Sequence, residues 1–181
     1  GWDAGAVCAV EFAKRCEGAG AAALCIHPRT RDQLYSGMAD MDIAREVVKA
    51  VKVPVMVSGD IISGASGMHI LEHTGGAFGM VGRGALGAPW IFDELRHAES
   101  GLAYSPLSLE EKMKIVRHHV TLAAEYKGWR VACLESRKHL GWYVKGLKNA
   151  ASLRNAANSV SSADGLERFI ELVLENGGEA M

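Results

Sequence analysis

Three short apolar runs constrain the first hundred residues more than any other feature: residues 21–26, 53–57 and 77–81. None alternates polar with apolar positions, the pattern expected of strands covered on both faces. Helical signals separate them. Cys8, Phe12 and Cys16, with Ala9 and Ala13 beside them, form one stripe, and Gly18 is placed to stop it. Asp42 is placed to cap a helix carrying Ile43, Val47 and Val48. A short helix is predicted over residues 66–73, closed by Gly75, and Pro89 suits the start of another running to Leu95. The strand starts lie 32 and 24 residues apart, the size of single βα units. Such alternation means an α/β fold with parallel strands and right-handed crossovers.

The rest of the chain reads as helix alone. Ser108 and Glu111 form a capping box ahead of Leu109, Met113, Val116, Val120 and Ala123. Further helices are predicted over residues 131–147 and 150–160. Asp164 and Glu167 suggest a second capping box, before a last helix ending near Leu174. The segment 101–106 is the best boundary, dividing the chain into domains over residues 1–100 and 107–176.

With 181 residues, 49% hydrophobic and 23% charged, the composition excludes a disordered tail, a collagen-like repeat and a disulfide miniprotein. The longest nearly unbroken apolar run, residues 19–26, is far too short to span a membrane, and Asp3 stands where a signal peptide would carry basic residues. Cys8, Cys16, Cys25 and Cys133 make no C-x-x-C pair, which argues against a structural zinc site, and no metal is expected. Three of the four read as small buried residues. A reducing, cytoplasmic setting fits.

The net charge of −1 conceals a division. Residues 110–160 hold 10 Lys/Arg against 4 Asp/Glu, while the segments on either side are acidic. A basic block of this size is a footprint for a polyanion, although solvated helix faces would look the same.

In parallel α/β folds, function gathers at the C-terminal ends of strands. The first end carries His27-Pro28-Arg29-Thr30-Arg31. A histidine there can reach a bound ring, or can simply satisfy a backbone group; the arginines alone read as solvated. The second and third ends are Ser58-Gly59-Asp60 and Gly82-Arg83-Gly84. Glycine admits close approach of a ligand, helix N-terminal amides attract anions, and Arg83 adds charge. Two such turns in succession favour a phosphate site over plain tight turns. In the helical half, residues 137–147 interleave Arg137, Lys138, His139 and Lys145 with Trp142 and Tyr143. That mixture could grip phosphates and stack on bases, or its aromatics could pack in a core.

Over nearly all its length the chain resembles the C-terminal part of bacterial tRNA-dihydrouridine synthases, most closely the B-type branch. Gly1-Trp2-Asp3 resembles the end of the family's K-x-R-x-G-W-D strand. Residues 27–40, with Tyr35, Gly37, Ala39 and Asp40, resemble H-G-R-T-R…Y-x-G-x-A-D. Ser58-Gly59-Asp60-Ile61 stands at N-G-D-I, residues 81–90 at I-G-R-A-x-x-G-N-P-W, and residues 137–147 at R-K-H-x-x-W-Y.

The resemblance implies a flavin (β/α)8 TIM barrel, of which this chain would be the C-terminal half, followed by an all-helical RNA-binding domain. It implies FMN as hydride donor to a uracil flipped out of tRNA, a cysteine that protonates C5, and NADPH as reductant. His27, Ser58, Gly59, Asp60, Gly82 and Arg83 would then be cofactor-binding residues, and Arg137, Lys138, His139 and Lys145 would face tRNA. Pro28, Ser58 and Met41 depart from the family's usual glycine, asparagine and tryptophan. No N-x-G-C-P segment occurs in the chain, so no catalytic residue is assigned. A barrel needs about 200 residues or more and eight strands. The expectation is therefore a truncated synthase that alone binds FMN poorly and leaves uridine unreduced. Two other readings stay open: another FMN- or phosphate-binding TIM-barrel oxidoreductase, such as a dihydroorotate dehydrogenase-like protein, and a non-catalytic RNA-binding module.

Overall fold

The computed structural model describes residues 1–178. They form two compact units: Gly1–Ala85 with Pro89–Tyr104, and Leu86–Ala88 with the residues from Ser105 onward.

The first unit is α/β. Its elements are α1 (Ala9–Gly18), β1 (Leu24–Ile26), α2 (Met41–Ala50), β2 (Val55–Ser58), α3 (Gly64–Thr74), β3 (Phe78–Met80) and α4 (Ile91–Glu99). The strands form one parallel sheet in the order β1-β2-β3, with Leu24 beside Val55, Ile26 beside Val57, and Met56 beside Phe78. Neighbours in register point to the same side of a sheet. Val55 packs with Ala13 of α1 and Val47 of α2. Val57 packs with Ala44, Ile61, Ile70 and Ile91.

The opposite side carries Cys25, Met56, Phe78 and Met80, and it is open. Cys25 is exposed, Phe78 is 61% exposed and Met80 40%. The expectation of strands buried on both faces therefore fails. Uniformly apolar strands foretell two covered faces, but among the described residues helices cover only one.

Several helix ends differ from expectation for local reasons. Asp40, not Asp42, caps α2, accepting from the amides of Asp42 and Ile43 at 3.1 and 3.2 Å. Asp42 lies inside the first turn, where its carboxylate meets Arg45 and His73. α3 begins before residue 66 because Ser63 and Ser66 make a reciprocal capping box. Gly75 in left-handed conformation closes it as expected.

The second unit contains α5 (Leu109–Lys127), α6 (Trp129–Tyr143), α7 (Ala150–Asn158) and α8 (Ala163–Asn176). The Ser108–Glu111 capping box forms as predicted. The second predicted box does not. Ser162 caps α8 by accepting from the Gly165 amide, while Glu167 is drawn into a bidentate pair with Arg117 at 2.7 Å. α5 packs on α6 and α8, and α7 on the same two helices. Met113, Val116, Val120, Leu140, Val144, Leu153, Leu166 and Ile170 are buried there.

One residue, Gly128, joins α5 to α6. Its amide closes α5 on Ala124 O at 2.8 Å, and its carbonyl accepts from Ala132 of α6 at 3.0 Å. Of the cysteines, Cys133 is buried, Cys16 half-buried, and Cys8 and Cys25 exposed. The expectation of three buried cysteines is thus corrected: Cys8 precedes α1 and Cys25 sits on the open side of β1. Among the described residues no helix is long and apolar enough to cross a membrane.

Candidate functional site

The three strand ends converge on Asp60. β2 stops at Ser58, and the next two residues turn the chain through positive φ, +128° at Gly59 and +52° at Asp60. A Cβ at Gly59 would lie 3.0 Å from the Ala39 Cβ, so the turn is closed to a larger residue there. His27 Nδ1 would be only 3.6 Å from the same point, which puts the β1-end histidine beside the β2-end turn. His27 itself is exposed.

Asp60 commits both oxygens. Arg29 Nη2 donates to them at 2.7 and 2.9 Å, and the Ala39 amide donates to Oδ2 at 2.7 Å. Arg83 Nη2 stands 3.8 Å from Oδ1. Burial raises the carboxyl pKa, but the Ala39 amide, Arg29 and Arg83 together outweigh it and hold Asp60 below its ordinary value. Asp60 is therefore a carboxylate at neutral pH.

The Arg29 side chain is 2% exposed, against the expectation that the arginines after β1 are solvated. Its Nη1 donates to Ser36 O at 2.6 Å and Gly37 O at 3.0 Å, folding the loop before α2 over the pair. Its Nε is buried and has no protein partner. The sequence marks the residue by its place after β1 but not its partner, because the acid that takes it lies 31 positions away. Arg83, by contrast, is 52% exposed and stacks on the Tyr35 ring at 4.5 Å.

The β3-end turn is pressed against the β2-end turn. A Cβ at Gly84 would fall 2.2 Å from the Ile61 carbonyl oxygen, so only glycine allows the two backbones this distance. Gly82 has open space where its side chain would be. The structure thus brings His27, Ser58, Gly59, Asp60, Gly82 and Arg83 to one end of the sheet, and adds Arg29 and Tyr35. Two guanidinium groups against one carboxylate leave a positive charge, carried by the exposed Arg83. The arrangement fits a phosphate monoester: open backbone at Gly82, an exposed arginine, and a buried one fixing the carboxylate that would otherwise repel the anion.

The family profile of dihydrouridine synthase (Dus) matches residues 1–176. The chain belongs to that family. It is 40% identical over 159 residues to a probable tRNA-dihydrouridine synthase of Rickettsia conorii, covering 87% of this chain and 48% of the relative. It is 37% identical over 164 residues to tRNA-dihydrouridine synthase B of Vibrio vulnificus, covering 90% and 51%. A probable tRNA-dihydrouridine synthase 1 of Synechocystis is 38% identical over 163 residues, covering 90% and 46%. The chain spans about half the length of these curated relatives of the Dus family.

The other residues marked in this Dus chain lie on or just after α6. Lys138 is exposed, with its ammonium 5.1 Å from the Trp142 ring, and Lys145 is exposed past the helix end. Arg137 Nε donates to Val160 O at 3.3 Å, tying α6 to the segment before α8. His139 is half-buried, edge-on to Trp142 and to His119, with ring centroids 5.0 and 5.1 Å away. His119 Nδ1 lies 3.1 Å from the Tyr143 hydroxyl. Burial, then the neighbouring His139 and His118, push the His119 pKa down.

Proposed function

We propose that the strand-end site binds FMN by its phosphate, within a protein that reduces uridine in tRNA to 5,6-dihydrouridine. The observation that carries this reading is the Arg29–Asp60–Arg83 arrangement at the joined glycine turns, in a chain of the Dus family. The backbone of Ser58, Gly59 and Gly82 and the Arg83 guanidinium would receive the phosphate. Asp60 would act mainly through the arginines, since Arg29 and Ala39 already occupy its oxygens. His27 would lie beside the flavin ring and the incoming base, with a ring nitrogen available to either. FMN held there would, once reduced by NADPH, supply the hydride for the uracil double bond. No thiol among the four cysteines is assigned as the acid that protonates C5.

We place the sheet in the C-terminal half of a (β/α)8 barrel, residues 1–100, and the helices over residues 107–176 in a tRNA-binding domain. Support for the second part is the basic block, with Lys138 and Lys145 exposed and Arg137 and His139 on the same stretch.

Flavin fluorescence titration tests the phosphate reading. FMN is expected to bind this chain weakly but more tightly than riboflavin, and R83A to abolish the difference. Equal affinity for FMN and riboflavin in the unsubstituted protein, or no binding of either, refutes it.

A further inference from the structure

The aromatic residues of the R-K-H-x-x-W-Y stretch are largely turned inward. Tyr143 is buried, and half-buried Trp142 has its backbone against Gly87 and its ring edge-on to His139. Stacking on a nucleobase needs an open ring face, and Tyr143 has none. The open aromatic rings of this unit lie elsewhere, on the two sides of the Gly128 joint: Tyr126 is 82% exposed and Trp129 37%.

A single residue closes one helix and opens the next, so Tyr126 and Trp129 each stand within the last or first turn of a long helix. Arg130 follows and makes no ion pair among the described residues, whereas Lys127 is paired with Glu135. Val131 and Leu134 are exposed farther along α6, on the face that carries Lys138. At 1.5 Å per residue, Arg130 is about 12 Å along the axis from Lys138. Residues 127–148 hold six Lys/Arg and one acid, Glu135, so any partner of this surface meets positive charge.

We propose that the α5–α6 tip, through Tyr126, Trp129 and Arg130, is an RNA-docking surface that stacks on unpaired bases, separate from the exposed Lys138 and Lys145 of the same unit. This rests on the tRNA reading above and adds to it the stacking contacts that the inward-turned aromatics cannot supply. The occupant is single-stranded or loop RNA rather than a protein, because exposed aromatics set among basic side chains match bases carried on a phosphate backbone.

The test measures the affinity of the full chain for an unmodified tRNA transcript across a salt series. Y126A and W129A are each expected to weaken binding about tenfold at every salt concentration, leaving the salt slope unchanged. W129F is expected to stay near the unsubstituted protein, because a ring remains. R130A is expected to lower the slope of log affinity against log salt by about 1. L174A, at an exposed leucine on α8, controls for loss of apolar surface in general. Thermal melts of each variant separate lost docking from lost folding, and Y126A stands as the variant least able to disturb packing. If the unsubstituted chain binds no tRNA, the tRNA reading and this inference fall together. If it binds and both Y126A and W129A bind equally well, this inference alone is overturned.

Discussion

Arg29 shows how much one side chain can decide. It is nearly fully buried, fixes Asp60 with two hydrogen bonds and holds two carbonyls of the loop before α2. Removing one partner of such a pair strands the other charge. R29A is therefore expected to cost about 3 kcal/mol, the lower end for a buried pair because Asp60 retains some water. Denaturant unfolding of the variant checks this. Acid has a related effect with a definite sign. Asp60 has its pKa lowered in the fold, so its contribution is complete above the ordinary value of 3.8 and is lost as pH falls below it. Arg29 was also the residue least legible in the sequence. His27, Gly59 and Arg83 read as ligand-facing because each follows an apolar run, whereas Arg29, in the same cluster as His27, reads as solvated. Its importance comes from a partner at the end of the neighbouring strand, which spacing along the chain does not encode.

Elements were legible where local chemistry decides them. The Ser108–Glu111 box, the Gly75 stop and the three parallel strands all follow from short patterns, whereas Gly18 stays inside α1 and Gly20, at φ +97°, follows its end. Misreadings arose where two local patterns competed. Asp40 and Asp42 are both able to cap α2, and Ser162 won the start of α8 while Glu167 went to Arg117. The open side of the sheet was illegible because an apolar strand has the same sequence whether or not something covers it. The joined glycine turns give a prediction at this scale. G84A places a methyl carbon against the Ile61 carbonyl, a backbone atom that no rotamer change can move. It is expected to cost about 1–3 kcal/mol and to weaken FMN binding through displacement of Arg83, whereas G82A, with open space, should leave stability nearly unchanged. Thermal melts of the two variants provide the comparison.

At the scale of the whole molecule, the two units should answer differently to pH. The helical unit holds His119 half-buried, with a lowered pKa, beside His139 and Tyr143. In the unfolded chain this histidine takes a proton near its ordinary value of 6.5, but in the fold it resists doing so. The helical unit should therefore lose stability as pH falls below about 6.5, and H119Q should flatten that dependence. Hydrogen exchange followed separately in α5–α8 and in the sheet, between neutral and mildly acidic pH, checks both the sign and the location. The helix that the Gly128 joint opens has a consequence of another kind. Because each residue of a helix turns it by about 100°, one residue inserted between Cys133 and Ser136 would swing Leu140 and Tyr143 off the buried face that Ala132 and Cys133 begin. Substitutions along α6 can be absorbed one at a time, but a change in its length cannot, so this stretch should tolerate new side chains far better than insertions or deletions.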